Sequence, residues 1–266
     1  MITLKTDAEI ALMRCAGLVV GRTLELLTEA VRPGITTADL DDLAADTIRD
    51  AGAEPSFLGY HGFPATICTS VNEEIVHGIP SRRKVLREGD IVSIDCGAVV
   101  EGYHGDAAVT VPVGEVRPEL HELMRVCEAS MWAGFAAARL GGRLSDIGSA
   151  VERRVRQHGY GVVEEYVGHG IGTEMHQDPQ VPNYGRPGRG PRLEKGLVLA
   201  VEPMVNLGSR HTRLLGDGWT VVTRDGQPSA HFEHTFTLTE QGPWVLTALD
   251  GGQSKLAPLL AARATG

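Results

Sequence analysis

The segment 90–113, DIVSIDCGAVVEGYHGDAAVTVPV, sets the strongest constraint on how this chain can fold. Two glycine-bordered, β-branched runs read as strands, yet each carries an aspartate, Asp95 in one and Asp106 in the other. Burying an ionised carboxylate is strongly unfavourable unless a cation or several donors compensate it. Antiparallel pairing through AVVEG places the two aspartates close to opposite each other, within the freedom of a bulge. Facing carboxylates repel unless a proton or a metal sits between them. Taken alone, the pair fits a salt bridge or a turn aspartate as well as it fits a metal site.

The remaining sequence predicts a mixed architecture. A T-x-x-E capping box at Thr6 and Glu9 satisfies free backbone donors at a helix start, so a first helix is expected over 7–30, stopped by Arg32-Pro33-Gly34. A second is expected from Thr37 to Gly52, with Asp39, Asp41 and Asp42 near its positive end. Pro118 suits the first turn of a long helix ending near Gly141, and a fourth helix runs from about Ser145 to Gly159. LVLAVEP, WTVVT and AHFEHTFTLT read as further strands. Helices and antiparallel hairpins without regular βαβ alternation predict an α+β fold.

Leu40, Ala44, Ile48 and Gly52 recur as Ile147, Val151, Val155 and Gly159 at a constant offset of 107, and Asp39 recurs as Asp146. This predicts an internal duplication whose halves place their strands around a shared centre. Segment 181–196, rich in Gly, Pro and Arg, reads as an ordered loop. One domain is expected over 1–250, followed by a tail over 251–266 that is frayed or forms a short helix.

With 42% hydrophobic and 22% charged residues, the 266-residue chain can fill a core. It has no apolar run of about 18 residues, which predicts no membrane span. The N-terminus lacks the pattern of a signal peptide, so a cytoplasmic location is the expectation. The formal charge of −9 argues against general DNA or RNA binding, which needs a basic surface. Arg82, Arg83, Lys84 and Arg87, and likewise Arg186, Arg189 and Arg192, read as solvated clusters. Cys15, Cys68, Cys96 and Cys127 show no C-x-x-C spacing and suit reduced thiols.

Three further residues change the balance for the aspartate pair. GHGIG places His169 among glycines, LAVEPM places Glu202 inside an apolar strand, and AHFEHT places Glu233 between two histidines. Glutamates are almost never fully buried unpaired. Three strands with acids in apolar settings, plus a glycine-framed histidine, point to one cation site. Asp95, Asp106, Glu202 and Glu233 carry four negative charges, which two divalent cations balance and one does not. Oxygen ligands with one imidazole suit Mn, Fe or Co better than a thiolate-type zinc site. Cys96 alternates to the opposite face of its strand and is not expected as a ligand.

These residues carry a specific resemblance. LGYHGFPATICTSVNEEIVHGIP, GDIVSIDCG, GYHGDAA, GHGIG, VEPM, DGWTVVT and AHFEHT are similar, in order and context, to motifs of the type I methionine aminopeptidases. The match covers nearly everything from 6 to 246, with neither the type II insert nor an N-terminal zinc-binding extension visible. The resemblance implies the pita-bread fold: a curved antiparallel sheet covered by helices, with pseudo-twofold duplication. It implies two ions (Co, Mn, Fe or Zn), with Asp95 on the first, Asp106 and Glu233 bridging, and His169 and Glu202 completing the second.

The implied reaction removes initiator methionine from nascent polypeptides with a small second residue, by metal-activated hydroxide attack on the first peptide bond. Glu202 would shuttle the proton, His176 would hold the carbonyl oxygen, and His77 the scissile amide. The implied methionine pocket is Phe57, Tyr60, Phe63, Cys68, Met175 and Trp219. Some relatives carry Cys, Tyr and Phe where Phe57, Phe63 and Met175 stand here, swaps that keep an apolar pocket suited to methionine. Asn72, Glu74 and Ser229 match a loop that binds Na or K mostly through backbone oxygens. The family also implies a monomer, and contact of the 186–192 arginines with the ribosome.

Two other readings stay open. Related Xaa-Pro peptidases, such as aminopeptidase P and prolidase, usually carry a separate N-terminal domain that this sequence does not show. An inactive pita-bread binding protein would have lost metal ligands, and all five are present.

Overall fold

The computed structural model describes residues 2–264. Helix α1 spans Asp7–Ala30 and opens with the reciprocal box: Glu9 N–H donates to Thr6 Oγ1 (3.3 Å), and Thr6 N–H to the Glu9 carboxylate (2.7 Å). Helix α2, Thr37–Asp50, has the same device in Thr36 and Asp39, where sequence reading saw only favourable negative charge. Helix α3 is Pro118–Ala137, with proline in its first turn, and α4 is Ser145–Arg156. Among the described residues, no helix is long and apolar enough to cross a membrane.

The 107-residue offset extends well beyond two helices. Helices α1 and α3 end at Ala30 and Ala137, and the short strand Glu54–Pro55 recurs as Gly161–Val162. Glu54 pairs with Val99 in the first half, and Gly161 pairs with Asn206 in the second, at the same offset. The cap recurs too: Thr36 N–H donates to Asp39 Oδ2 (2.9 Å), and Arg143 N–H to Asp146 Oδ2 (2.9 Å). Leu40, Ala44 and Ile48 are buried, as are Ile147, Val151 and Val155. The offset therefore makes Asp95 and Glu202 equivalent positions of a duplicated unit.

The main sheet is antiparallel and centres on the hairpin Ile91–Val100 with Tyr103–Pro112. Glu101 and Gly102 both take left-handed φ, 49° and 80°, the geometry of a two-residue turn that matches strand twist. Because that turn pairs Val100 with Tyr103, Asp95 falls opposite Ala108 and Asp106 opposite Gly97. The aspartates share one face but stand diagonally, which corrects the expectation of near-opposition. The sheet continues through Glu233–Thr239, Val198–Val201, Gly168–Gly170 and Gln177–Val181.

Helices cover one face of this curved sheet. Leu27 and Leu40 pack with Ile94 and Cys96 in one cluster, while Trp132 and Phe135 pack with Leu199 and Phe236 in another. Cys96 thus lies on the face opposite Asp95, as alternation predicts. Contact is very close where α1 crosses the sheet. A Cβ on Gly17 would lie 2.3 Å from Leu246 O, and one on Gly105 would lie 2.7 Å from Gly17 N. Helix α5, Gln253–Ala264, docks Leu256 (3% exposed) into the α3-side cluster.

Candidate active site

The sheet face away from the helices gathers the five residues. Ala108 pairs with Asp95 on one side and Glu233 on the other, so a methyl group separates two carboxylate-bearing positions. Asp106 lies two residues along the same strand and therefore on the same face. On the far side, Ala200 pairs with His169, and Glu202 stands two residues beyond it. His169 Nε2 lies 3.8 Å from Asp106 Oδ2 and 3.6 Å from Glu202 Oε1. His169 Nδ1–H donates to the Gly170 carbonyl (2.9 Å), which leaves the Nε2 lone pair facing the carboxylates. Thr235 anchors Asp106: its hydroxyl accepts from Asp106 N–H (3.1 Å) and donates to Asp106 O (2.8 Å).

This donor set fits cations. Asp95 Oδ1, Asp106 Oδ1 and Glu233 Oε1 are buried without a hydrogen-bond partner, a condition native proteins avoid unless a ligand satisfies it. Burial pushes the Asp95 carboxyl up to about 7. Burial, reinforced by neighbouring carboxylates, holds Asp106, Glu202 and Glu233 well above the usual range. Burial also draws His169 down to about 4, leaving a neutral imidazole. Among the described residues lining the cavity there is no Lys or Arg to compensate the acids. Two overlapping groups, Asp106–His169–Glu233 and Glu202–His231–Glu233, each bring ligand atoms within 4.8 Å of one another.

A cavity of about 380 Å³ opens above the acids, and all six residues expected to form the methionine pocket line it. Phe57, Phe63, Cys68 and Met175 are buried, and the Phe63 and Trp219 rings meet edge to face at 5.1 Å. His77, held at φ 61°, faces the Trp219 ring at 6.4 Å. The His176 ring lies 4.3 Å from that of His169. The Tyr60 hydroxyl is 2.8 Å from His176 Nδ1. With the phenol as donor, His176 keeps its own proton on Nε2.

Two residues at the site escaped sequence reading. His61 lines the cavity from a left-handed turn, for which the sequence offers no signal. His231 lies beside Glu202 and Glu233; its signal was strand alternation, which puts it on Glu233's face. Asn72, Glu74 and Ser229 lie away from the cavity. Ser229 N–H donates to Asn72 O (2.9 Å), while the Glu74 carboxylate accepts from Val71 N–H (2.8 Å) and pairs with Lys84.

Residues 11–240 match the profile of metallopeptidase family M24. The chain belongs to family M24. Within M24 it is 55% identical over 247 residues to a methionine aminopeptidase of Clostridium acetobutylicum, spanning 93% of this chain and 99% of that one. The crystal structure of a methionine aminopeptidase from Thermotoga maritima superposes with a TM-score of 0.92 at 45% identity, covering 93% of this chain and 100% of that one. An Xaa-Pro dipeptidase from Bacillus anthracis gives a TM-score of 0.72 at 25% identity, and the match spans 61% of it. The pita-bread fold is thus shared across M24 peptidases, while the full-length likeness lies with the methionine aminopeptidases.

Proposed function

We propose that Asp95, Asp106, His169, Glu202 and Glu233 hold two divalent cations, and that the chain releases methionine from peptides and nascent proteins whose second residue is small. The observation that carries this reading is the placement of three orphaned carboxylate oxygens beneath an apolar cavity lined by Phe57, Phe63, Met175 and Trp219. The first feature calls for cations and the second for a flexible apolar side chain. Full-length likeness to methionine aminopeptidases supports the substrate, and disfavours both an Xaa-Pro peptidase and an inactive binding protein.

Asp95 would serve the first cation, Asp106 and Glu233 would be shared by both, and His169 with Glu202 would serve the second. An oxygen-rich set with one imidazole takes Mn, Fe, Co or Zn. Bound there, the cations supply Lewis-acid activation of a water and of the scissile carbonyl. The Glu202 side chain is 15% exposed, against 6% for Asp106 and 2% for Glu233, so it is more open to the cavity than those two. It accepts the proton of the attacking water and returns it to the leaving amine. His176, with Nδ1 engaged by Tyr60, directs Nε2–H at the carbonyl oxygen as that atom gains charge. His77 binds the scissile amide, and the apolar wall excludes competing water. On this reading the enzyme acts on new chains in the cytoplasm.

Purified protein supplied with Mn or Co should release Met from Met-Ala-Ser but not from Met-Leu peptides, and should leave Xaa-Pro substrates intact. Preferential cleavage of an Xaa-Pro bond would overturn the substrate assignment.

A further inference from the structure

The cavity floor carries one more polar group than the proposed ligand set uses. His231 ends the strand Ser229–His231, two residues before Glu233. Its side chain is 1% exposed, and Nε2 has no hydrogen-bond partner. That atom lies 3.9 Å from Glu202 Oε2 and 3.7 Å from Glu233 Oε2. The backbone fixes where the ring starts: His231 N–H donates to Thr110 Oγ1 (2.8 Å), and the same hydroxyl donates to His231 O (2.8 Å).

The duplication supplies an independent reason for the ring to face the centre. Gly97 pairs with Asp106 in the first half, and Met204, 107 residues beyond Gly97, pairs with His231. His231 therefore occupies, in the second half, the register position that Asp106 takes in the first.

Building on the two-cation reading, we propose that His231 is a positioning residue for the second cation: with cations bound, Nε2–H closes from 3.9 Å to hydrogen-bond distance of Glu202 Oε2, with Glu233 Oε2 as neighbouring acceptor, and so turns Glu202 Oε1 toward His169. Glu202 is shared between two imidazoles that play opposite parts. His169 Nε2, 3.6 Å from Oε1, offers a lone pair because its Nδ1 proton is committed to Gly170. His231 Nε2 faces two carboxylate oxygens, which would repel a lone pair and are satisfied by a proton. Donation removes the penalty of a buried unpaired donor and fixes the carboxylate's rotation, the usual task of groups that support metal ligands.

The test uses the intact protein in three forms. In wild-type protein labelled with ¹⁵N-histidine and loaded with Zn, His231 Nε2 should resonate as a protonated, pyrrole-type nitrogen; an unprotonated shift overturns the proposal. His231→Gln retains an N–H donor and His231→Leu does not. In calorimetric titrations with Mn, the Leu variant should bind its second cation about 10–100-fold more weakly, with the first unchanged. The Gln variant should stay within a few-fold of wild type at both. Wild-type affinities in the Leu variant, or loss of both cations, refute the role. If the variants fail to fold, the wild-type spectrum still decides. A single binding event in wild type would refute the two-cation reading on which this one stands, and failure to cleave Met-Ala-Ser with the His231 pattern intact would refute only the substrate.

Discussion

Stripping the cations should leave a protein that a single charge-removing substitution stabilises, by an amount that grows with pH. In the folded, metal-free chain, burial holds the Asp95 carboxyl at about 7, against an ordinary 3.8. Between those values the folded state binds more protons than the unfolded state, so Asp95 lowers stability as pH rises through this window. At about 1.36 kcal/mol per unit, the penalty is about 1 kcal/mol at pH 4.5 and about 4 kcal/mol at pH 8. Water entering the open cavity solvates the carboxylate and reduces both figures.

The total pH profile cannot isolate this effect, because buried histidines pull the other way. His169 and His234 are lowered to about 4 and His231 to about 3, so they raise stability as pH climbs toward 6.5. The difference between variants at fixed pH cancels them. Metal-free Asp95→Asn should therefore unfold near wild type at pH 4.5 and be more stable by about 2–4 kcal/mol at pH 8, roughly 5–15 °C in Tm for a domain of this size. Scanning calorimetry on EDTA-treated protein measures it. Added Mn should reverse the order, since wild type then gains binding free energy that the variant lacks. A difference that stays flat with pH, or a variant less stable than wild type at pH 8, would refute a cluster of buried, uncompensated acids.

Other substitutions separate the roles within the site. Asp106→Asn should abolish methionine release and lower cation stoichiometry in titration calorimetry; full activity would remove its bridging role. His176→Ala should reduce kcat about 10²–10³-fold with cation content unchanged, whereas loss of cations would make it a ligand. Tyr60→Phe removes one hydrogen bond to His176 Nδ1, about 1 kcal/mol, and should lower kcat roughly five-fold and displace the pH–rate profile. An unchanged profile would show that Tyr60 only lines the pocket. Gly17→Ala places a Cβ against Leu246 O, 2.3 Å away. It should cost about 1–3 kcal/mol in urea unfolding, and a wild-type midpoint would show that α1 can shift freely.

What was legible in the sequence was local or periodic. Thr6 and Glu9 announce α1 because a cap is a contact between residues three apart. Asp95 and Glu202 stand out because a strand's apolar run makes any acid within it conspicuous. Alternation alone puts His231 on the face of Glu233 and His234 on the other, yet nothing local in the sequence shows how near the His231 ring lies to Glu202. His234 Nδ1 instead meets the Thr247 hydroxyl at 2.8 Å, on the other face. The diagonal of Asp95 and Asp106 depended on where the turn centres, a matter of two residues. The Tyr60–His176 contact joins segments 116 residues apart, and neither segment carries a period that points to the other.

The duplication also bears on the different roles proposed for the two sides of the centre. Asp95 and Glu202 are equivalent by the 107-residue offset, but their strands continue differently. The first half is an unbroken ladder, Ile91–Val100 against Tyr103–Pro112, which fixes Asp95 and Asp106 on one rigid surface. In the second half Pro203, without an N–H to donate, separates Val198–Val201 from Met204–Asn206. The facing strand breaks at Phe232, between Ser229–His231 and Glu233–Thr239. Both strands of this half are therefore interrupted, and Glu202 sits at the interruption with a carboxylate that lines the cavity. The chelating role proposed for Asp95 suits the continuous ladder, and the proton-transfer role proposed for Glu202 suits the interruption. His231, at the end of the broken strand, would on the proposal above supply by a side-chain hydrogen bond the orientation that a continuous ladder supplies through the backbone.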